Sequence, residues 1–265
     1  MKPASPTNPG EILFEVKGMT KHFGGVRAVQ DISFKIPANS VFAIIGPNGA
    51  GKSTALNLMS GTYQPTAGSV LFAGVELNGT LLHERVRRGI GRTFQKIRLF
   101  KQLSVFENVL AGFHIHHNIP FWQYAVPRAA IYADRKRCHD EARNLLEFVG
   151  LSHRADVRAG SLAYGEQRML EIARALATGP QLFMLDEPAA GMNATEMEFL
   201  MERLTMLRDK GVTVVIVEHN MDLVMNVADH IYVMDHGEYL FDGTPDEVQQ
   251  HPEVITAYLG AEVIE

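Results

Sequence analysis

The sequence has little that would tie the protein to an oxidising compartment or carry it across a bilayer. Its 265 residues include one cysteine, Cys138, which cannot form an internal disulfide and has no second cysteine for a metal site. The longest apolar β-type runs, such as residues 214–217, fall far short of the roughly 20 residues that a membrane-spanning helix needs. If the protein works at a membrane, we expect it to do so through an integral partner.

Positive charge is also scarce. The 25 lysines and arginines are outnumbered by 30 aspartates and glutamates, which leaves a formal net charge of -5. A nucleic-acid partner held by bulk positive charge is therefore not expected. What is present suits a globular protein, because 46% of the residues are hydrophobic and 21% are charged. The length allows a single domain with lobes or two small domains.

Short β-branched runs alternate with amphipathic helical stretches, which predicts an α/β fold with a mainly parallel sheet. Apolar residues 40–45 lead through a glycine-rich turn into a helix predicted at 52–60. Apolar runs at 181–185 and 212–217, separated by a helix predicted at 195–210, each end in polar residues. The carboxyl ends of parallel strands are where open α/β sheets place their sites.

Other segments differ from this core. Residues 1–10 contain prolines and polar side chains but no apolar h-region, so we interpret them as a flexible tail rather than a signal peptide. Residues 12–36 and 68–77 predict short strands of a small antiparallel sheet, and helix formers at about 95–165 predict an inserted helical lobe. The stretch 119–137 is interpreted as a surface elaboration. The predicted domain spans 11–265, with the core and antiparallel lobe at 11–94 and 166–265.

A glycine-rich loop followed by Lys52 and Ser53 fits the pattern G-x-x-x-x-G-K-[ST]. Glycines let backbone N–H groups surround phosphate oxygens, and the start of the next helix adds a favourable dipole. Lys52 is expected to reach the β and γ phosphates, and the Ser53 hydroxyl to bind Mg²⁺. The nucleotide-binding residues predicted here are Gly46, Asn48, Gly49, Gly51, Lys52, Ser53 and Thr54.

An apolar strand at 182–185 ends in the two carboxylates Asp186 and Glu187. Asp186 is expected to hold the Mg²⁺ through its water shell. Glu187, one residue closer to the γ phosphate, is positioned to polarise the attacking water. Beside a phosphate loop, this pair predicts nucleotide hydrolysis with ATP and Mg²⁺ as cofactors.

Together these motifs resemble those of ABC transporter ATPases, and the resemblance covers nearly the whole chain. It implies a RecA-like P-loop core with a small antiparallel β subdomain and an inserted helical subdomain. Gln95 matches the glutamine that senses Mg²⁺ and the membrane partner, and His219 matches the switch histidine that hydrogen-bonds the γ phosphate. Phe23 lies where the family has an aromatic residue that stacks on adenine. Asn193 replaces the more usual aspartate of the subunit-to-subunit loop.

The family signature, usually Leu-Ser-Gly-Gly-Gln, reads Leu162-Ala163-Tyr164-Gly165-Glu166 here. Ala163 lacks the hydroxyl that would contact the γ phosphate of the opposite subunit. Gly165 and the start of a helix predicted at 167–177 are kept, and backbone N–H groups at a helix start bind an anion without a serine. The resemblance implies that Ala163, Gly165 and Glu166 cover the nucleotide of a second subunit.

Four stretches point to a narrower group. The segments 91–95, 162–168, 186–193 and 231–234, together with the C-terminal 252–260, resemble ATP-binding subunits of high-affinity branched-chain amino acid importers. The implied partners are a second ATPase subunit in a homo- or heterodimer, integral membrane permeases and, indirectly, a periplasmic solute-binding protein. The implied location is the cytoplasmic face of the inner membrane, where the chain would be peripheral.

Other readings stay open. The chain would also suit a soluble ABC ATPase, although that class usually has two cassettes or a long coiled-coil insertion. It would equally suit an importer of another small solute, such as urea or amides. A P-loop kinase or GTPase would not need the 162–168 segment, and the Asn-Lys-x-Asp motif that reads guanine is missing. A non-catalytic binding module is disfavoured because Lys52, Asp186 and Glu187 are intact.

Overall fold

A computed structural model describes residues 10–116 and 128–262. The predicted tail lies outside these ranges except for Gly10, and so does the 119–127 part of the predicted surface elaboration. The backbone of 128–137 belongs to a helix that runs on to Phe148. Within the described ranges, no helix combines the length and apolar character that a membrane span requires.

The described strands, in chain order, are β1 (Ile12–Phe23), β2 (Val26–Pro37), β3 (Val41–Ile45), β4 (Ala67–Phe72), β5 (Val75–Glu76), β6 (Ile90–Arg92), β7 (Leu182–Asp186), β8 (Thr213–Val217), β9 (His230–Asp235) and β10 (Glu238–Gly243). The described α-helices are α1 (Lys52–Met59), α2 (Leu82–Arg87), α3 (Val105–Phe113), α4 (Arg128–Phe148), α5 (Tyr164–Leu176), α6 (Ala194–Asp209), α7 (Met221–Val227), α8 (Pro245–Gln250) and α9 (Pro252–Glu262).

The central sheet has the strand order β10-β9-β3-β8-β7-β6. Its pairs are parallel from β6 to β9, and β10 adds an antiparallel edge. Every residue of β3, β7 and β8 is buried, which explains their unbroken apolar runs. The predicted parallel α/β core is therefore confirmed.

Alternate residues of these strands supply two separate cores. Phe183 and Leu185 of β7 face the cluster that includes the helical segment, whereas Leu182 and Met184 face the cluster beneath the antiparallel sheet. This period of two is what a strand imposes on its side chains. The central sheet thus lies between two apolar layers, and its carboxyl edge stays available for polar residues.

The predicted antiparallel sheet is present in the order β2-β1-β4-β5. The prediction of several short strands between 12 and 36 is wrong, because β1 and β2 are each 12 residues long and pair as one hairpin. Gly18 lies inside β1 rather than between strands. Its positive φ of 57° falls within a register shift, and such bulges let a long strand bend without ending.

Helix α5 packs on α3 and α4, and together they bury Val105, Val109, Leu146 and Ile172. The sequence predicted α5 from 167, but it begins at Tyr164. The reason is a partial N-cap, in which the Glu166 carboxylate accepts a hydrogen bond from the Ala163 N–H at 3.1 Å. The earlier start places Gly165 and Glu166 in the first turn.

Candidate functional site

The phosphate loop connects β3 to α1 and depends on glycine at two points of close approach. A Cβ on Gly46 would lie 2.0 Å from the Met234 carbonyl oxygen, and one on Gly51 would lie 2.4 Å from the Ala28 carbonyl oxygen. Gly51, with a φ of 92°, is also the N-cap of α1. The loop therefore passes between the β2 and β9 segments in a conformation that a side chain would obstruct.

A cavity of about 430 Å³ opens in front of this loop. Its lining residues are Val26, Arg27, Ala28, Asn48, Gly49, Ala50, Gly51, Lys52, Ser53, Thr54, Glu187 and His236. It is thus built from the β1–β2 hairpin, the loop, the first turn of α1 and the end of β7. Free N–H groups at the start of α1 and a lysine side chain make this concavity suited to phosphate.

Lys52 is buried at the bottom of the loop, where its Nζ donates to the carbonyl oxygens of Gly46 at 2.7 Å and Pro47 at 2.9 Å. Burial lowers the pKa of Lys52, while the negative charges of Glu187 and Asp186 act in the opposite direction. Its ammonium is therefore held in place by backbone dipoles before any phosphate arrives.

Asp186 ends β7 in a buried ion pair with Arg92 of β6, with Nη2 and Oδ2 separated by 3.1 Å. Burial raises the pKa of the Asp186 carboxyl, and the Arg92 guanidinium opposes that rise. The second oxygen, Oδ1, is buried and has no hydrogen-bond partner within the described part of the chain. A buried carboxylate oxygen without a partner is the kind of ligand that a hard cation such as Mg²⁺ takes, and the hydroxyl of Ser53 and the amide of Gln95 are oxygen donors of the same kind.

Glu187 follows with a positive φ of 46°, a conformation that a non-glycine residue adopts at a cost of about 1–2 kcal/mol. Its N–H donates to the Val217 carbonyl oxygen of β8 at 2.9 Å, which anchors the turn. Its carboxylate accepts a hydrogen bond from Gln95 Nε2 at 3.0 Å and lines the phosphate cavity. Two predicted catalytic residues are thereby brought together.

Arg168 of α5 holds the backbone at Phe94 and Gln95 by hydrogen bonds. The fully buried guanidinium donates to the carbonyl oxygens of Phe94 at 2.8 Å and Gln95 at 3.0 Å. It also pairs with the buried Glu171 carboxylate at 2.9 Å. The backbone before and at Gln95 is therefore fixed to the helix that begins with the signature segment.

The signature residues lie apart from the cavity of their own chain, because Ala163, Gly165 and Glu166 are not among its described lining residues. Ala163 is the N-cap of α5 and offers no side-chain acceptor. Glu166 makes a surface ion pair with Arg154 at 3.1 Å, and Gly165 packs so closely on Glu196 that a Cβ would lie 2.2 Å from its Oε1. A side chain at position 165 would therefore have to displace the Glu196 carboxylate.

Three other residues predicted from the sequence, His219, Phe23 and Asn193, make contacts that do not test the roles expected of them. The His219 side chain is 59% exposed and does not line the described cavity. Phe23 is 43% exposed and makes an edge contact with Tyr63 at 5.3 Å between ring centroids, also outside the described lining. Asn193 caps α6, where its Oδ1 accepts from the Glu196 N–H at 3.0 Å. The roles predicted for His219 and Phe23 stay predictions.

Sequence reasoning missed Arg92, Arg168 and Glu218. Glu218 is fully buried, and its carboxylate accepts hydrogen bonds from the N–H groups of Ala189 at 2.8 Å and His219 at 3.1 Å. It thereby joins the loop after Glu187 to the segment carrying His219. Each missed residue lies within a few positions of a predicted one, which is the only signal that the sequence offered.

The ABC transporter family model matches residues 29–190, and a model described as branched-chain amino acid ATP-binding cassette transporter matches residues 240–264. A high-affinity branched-chain amino acid transport ATP-binding protein, BraF of Pseudomonas aeruginosa, is 44% identical over 249 residues. That alignment covers 94% of this chain and 98% of the relative.

Solved structures of ATP-binding cassettes also match this chain. An ATP-binding cassette of an ABC transporter in its ADP conformation matches with a TM-score of 0.82 and 32% identity, covering 94% of this chain and 99% of that chain. A dimeric post-hydrolysis cassette bound to ADP and Pi matches with a TM-score of 0.75 and 25% identity, covering 88% and 99%. Fold and site together define an ATP-binding cassette. The chain belongs to the ABC transporter family, and the predicted fold class and family resemblance are confirmed.

Proposed function

We propose that this chain hydrolyses ATP with Mg²⁺ to power the import of branched-chain or related amino acids. The observation that carries the hydrolytic part is that Lys52 and Glu187 line one cavity in front of the phosphate loop. The amino-acid part is supported by the match at residues 240–264 and by the 44% identical relative.

Different side chains of this chain bind the phosphates, activate the water and hold the cation. Lys52 and the N–H groups of the loop hold the phosphates, and Gln95 holds the Glu187 carboxylate by the 3.0 Å hydrogen bond so that it can orient a water and accept its proton. Ser53, Gln95 and Asp186 would hold the cation. Mg²⁺, when bound, neutralises charge on the β and γ phosphate oxygens.

A second subunit completes each site in this proposal. Residues 163–166 lie outside the described lining of their own cavity, so they are available to cover a nucleotide held elsewhere. Tyr164, 47% exposed at the start of α5, packs near Gly191 of the loop after Glu187. Closure on ATP would then release free energy only to the extent that the closed dimer binds ATP better than the open one.

An integral permease is the proposed membrane partner, and we assign its contact to a second cavity of about 290 Å³. Among the residues that line it are Val86 of α2, Ala111 of α3 and Arg174 of α5, together with Phe100 before α3 and Ile115 after it. Arg92 also lines it, three residues before Gln95, so a helix seated there would touch the segment that reaches Glu187. Filling the cavity by Ala111→Phe is expected to abolish transport and to leave ATP binding by the purified chain intact.

The test is reconstitution. The chain is to be co-expressed with candidate permeases and a solute-binding protein, and uptake of labelled leucine into proteoliposomes measured with ATP enclosed. Uptake should require ATP and stop with Glu187→Gln. ATP-dependent uptake of urea or amides in place of amino acids would support the alternative solute.

A simpler measurement distinguishes a transporter subunit from a soluble ABC ATPase. Co-purification of the chain with an integral membrane protein from detergent-solubilised membranes is expected. Robust ATP hydrolysis without any membrane partner bound, in cells that contain the permeases, would contradict the transport proposal.

A further inference from the structure

Arg92 has a hydrogen-bonding pattern that the functions assigned so far do not use. Its side chain is only 4% exposed, and it stands at the end of β6. Nη1, which carries two hydrogens, lies within hydrogen-bond distance of three acceptors: Asn57 Oδ1 at 2.8 Å, Ser60 Oγ at 2.6 Å and Thr62 Oγ1 at 3.1 Å. Nη2 donates to Asp186 Oδ2 at 3.1 Å. One guanidinium therefore joins the far end of α1 to the end of β7.

The contact with Asp186 is one-sided. Arginine and a carboxylate readily form two parallel hydrogen bonds, which would occupy both oxygens. Here Nη1 of Arg92 is directed to α1 and its following turn, Nε donates to the Thr93 carbonyl oxygen at 3.2 Å, and only Oδ2 of Asp186 is held. Oδ1 stays buried without a partner in the described chain. A purely structural ion pair would gain by satisfying that oxygen, because a buried acceptor without a partner is destabilising.

The other end of the same arrangement is the phosphate site. Asn57 and Ser60 lie on the last turn and C-cap of α1, whose first turn carries Lys52 and Ser53. A short rigid helix thus fixes the distance between the loop and Arg92, and Arg92 fixes the Asp186 carboxylate relative to both. Residues that orient a metal ligand in this manner commonly change metal affinity by about 10–100-fold when they are removed.

We propose that Arg92 is a positioning residue for the cation: it holds Asp186 by one oxygen, directs the other toward the metal, and sets its distance from Ser53 through α1. The inference rests on the proposed function, in which Asp186 and Ser53 bind the cation that accompanies ATP. Arg92 touches neither nucleotide nor metal in this arrangement and acts through Asp186.

The test measures how much a cation strengthens nucleotide binding to the purified full-length chain. The dissociation constant of a non-hydrolysable ATP analogue is determined in EDTA and in Mn²⁺, for the wild type, Arg92→Met and Arg92→Lys. Arg98→Met is the matched control, because the guanidinium carbons of Arg92 and Arg98 both lie over the Phe94 ring, at 5.1 and 4.2 Å from its centroid. Arg98 is exposed, and among the described residues its side chain makes no hydrogen bond or ion pair with Asp186. Arg92→Lys keeps the charge and serves if the methionine variant does not fold.

Both Arg92 variants are expected to bind the analogue in EDTA within about twofold of wild type and to lose about tenfold or more of the Mn²⁺ enhancement. Arg98→Met should keep that enhancement. An undiminished enhancement in both Arg92 variants would overturn the inference while leaving the proposed function intact. Equal losses in EDTA and in Mn²⁺ would also overturn it, since they would indicate only structural damage. A wild type that gains nothing from Mn²⁺ would refute both the inference and the proposed cation site.

Discussion

Replacing Arg168 by methionine tests the link between the signature helix and the catalytic segment. Methionine keeps most of the apolar stem but removes the donors to Phe94 and Gln95. It also strips the buried Glu171 of its guanidinium partner, which leaves the carboxylate with a hydrogen bond from the Arg98 N–H at 3.1 Å and the nearby charge of Arg174. Arg168 is fully buried, so solvent cannot replace what is lost.

The magnitude follows from breaking a buried ion pair on one side, which costs about 3–5 kcal/mol because the remaining charge is left uncompensated. Adding Glu171→Gln removes that charge, and the double variant is expected to recover about 1–3 kcal/mol. ATP hydrolysis should fall in both variants, since the backbone at Gln95 loses its anchor.

The stability lost in Arg168→Met should depend on pH. Burial raises the pKa of the Glu171 carboxyl above its ordinary value, while the Arg98 N–H and the Arg168 charge lower it. Removing Arg168 therefore raises that pKa further. A group with a raised folded-state pKa contributes stability that is complete below its unfolded pKa and lost as pH rises through the folded one. The variant should be less destabilised near pH 5 than near pH 8.

A double-mutant cycle tests this prediction. The free energy of unfolding in urea is measured at both pH values for the wild type, each single variant and the double variant. Arg208→Met, which removes a partly exposed arginine paired with Asp209 and Asp229, is the control and should cost less than about 1 kcal/mol. A coupling free energy within about 0.5 kcal/mol of zero, or the same loss at both pH values, would refute the reasoning.

Three further outcomes are expected. Glu187→Gln keeps an acceptor for Gln95 but cannot take a proton, so ATP hydrolysis should fall by about 10²–10⁴-fold. ATP should still bind and hold the dimer closed. Phosphate release at the normal rate would argue against Glu187 as the base. Lys52→Ala should weaken ATP binding at least about tenfold by calorimetry, because a charge that faces the phosphates is removed, and unchanged affinity would contradict its role. Ala163→Ser should complete the N-cap of α5 and raise the free energy of unfolding by about 1 kcal/mol, whereas no gain would show that the cap is already satisfied.

The parts of this fold that could be predicted are those encoded locally. Strands β3, β7 and β8 are buried on both faces, so each contains a run of at least four apolar residues. The run in β7 stops at Asp186 and the run in β8 stops before Glu218, whereas β3 leads into the glycine-rich loop. The spacing of Gly46, Gly51 and Lys52 is equally local, since the loop that it forms is complete within eight residues. These features needed no knowledge of distant contacts.

What could not be predicted depends on residues far apart in the chain. Arg92 and Asp186 are separated by 94 positions, and Arg168 reaches the carbonyl group of Gln95 across 73. Their partnership follows from β6 lying beside β7 and from α5 packing behind them. The length of β1 was misjudged for another reason: Gly18 can mark a chain reversal or a bulge, and only pairing with β2 decides between them.

The separation of residues 163–166 from the phosphate cavity of their own chain has a genetic consequence. If this chain pairs with a second copy of itself rather than with a different ATPase subunit, a chain defective at Lys52 and a chain defective at Gly165 would each be inactive as a pair of identical copies. When the two are mixed, one of the two composite pockets receives an intact loop from one polypeptide and an intact helix start from the other. Two dead alleles would then complement each other, and the restored rate would follow the fraction of mixed pairs.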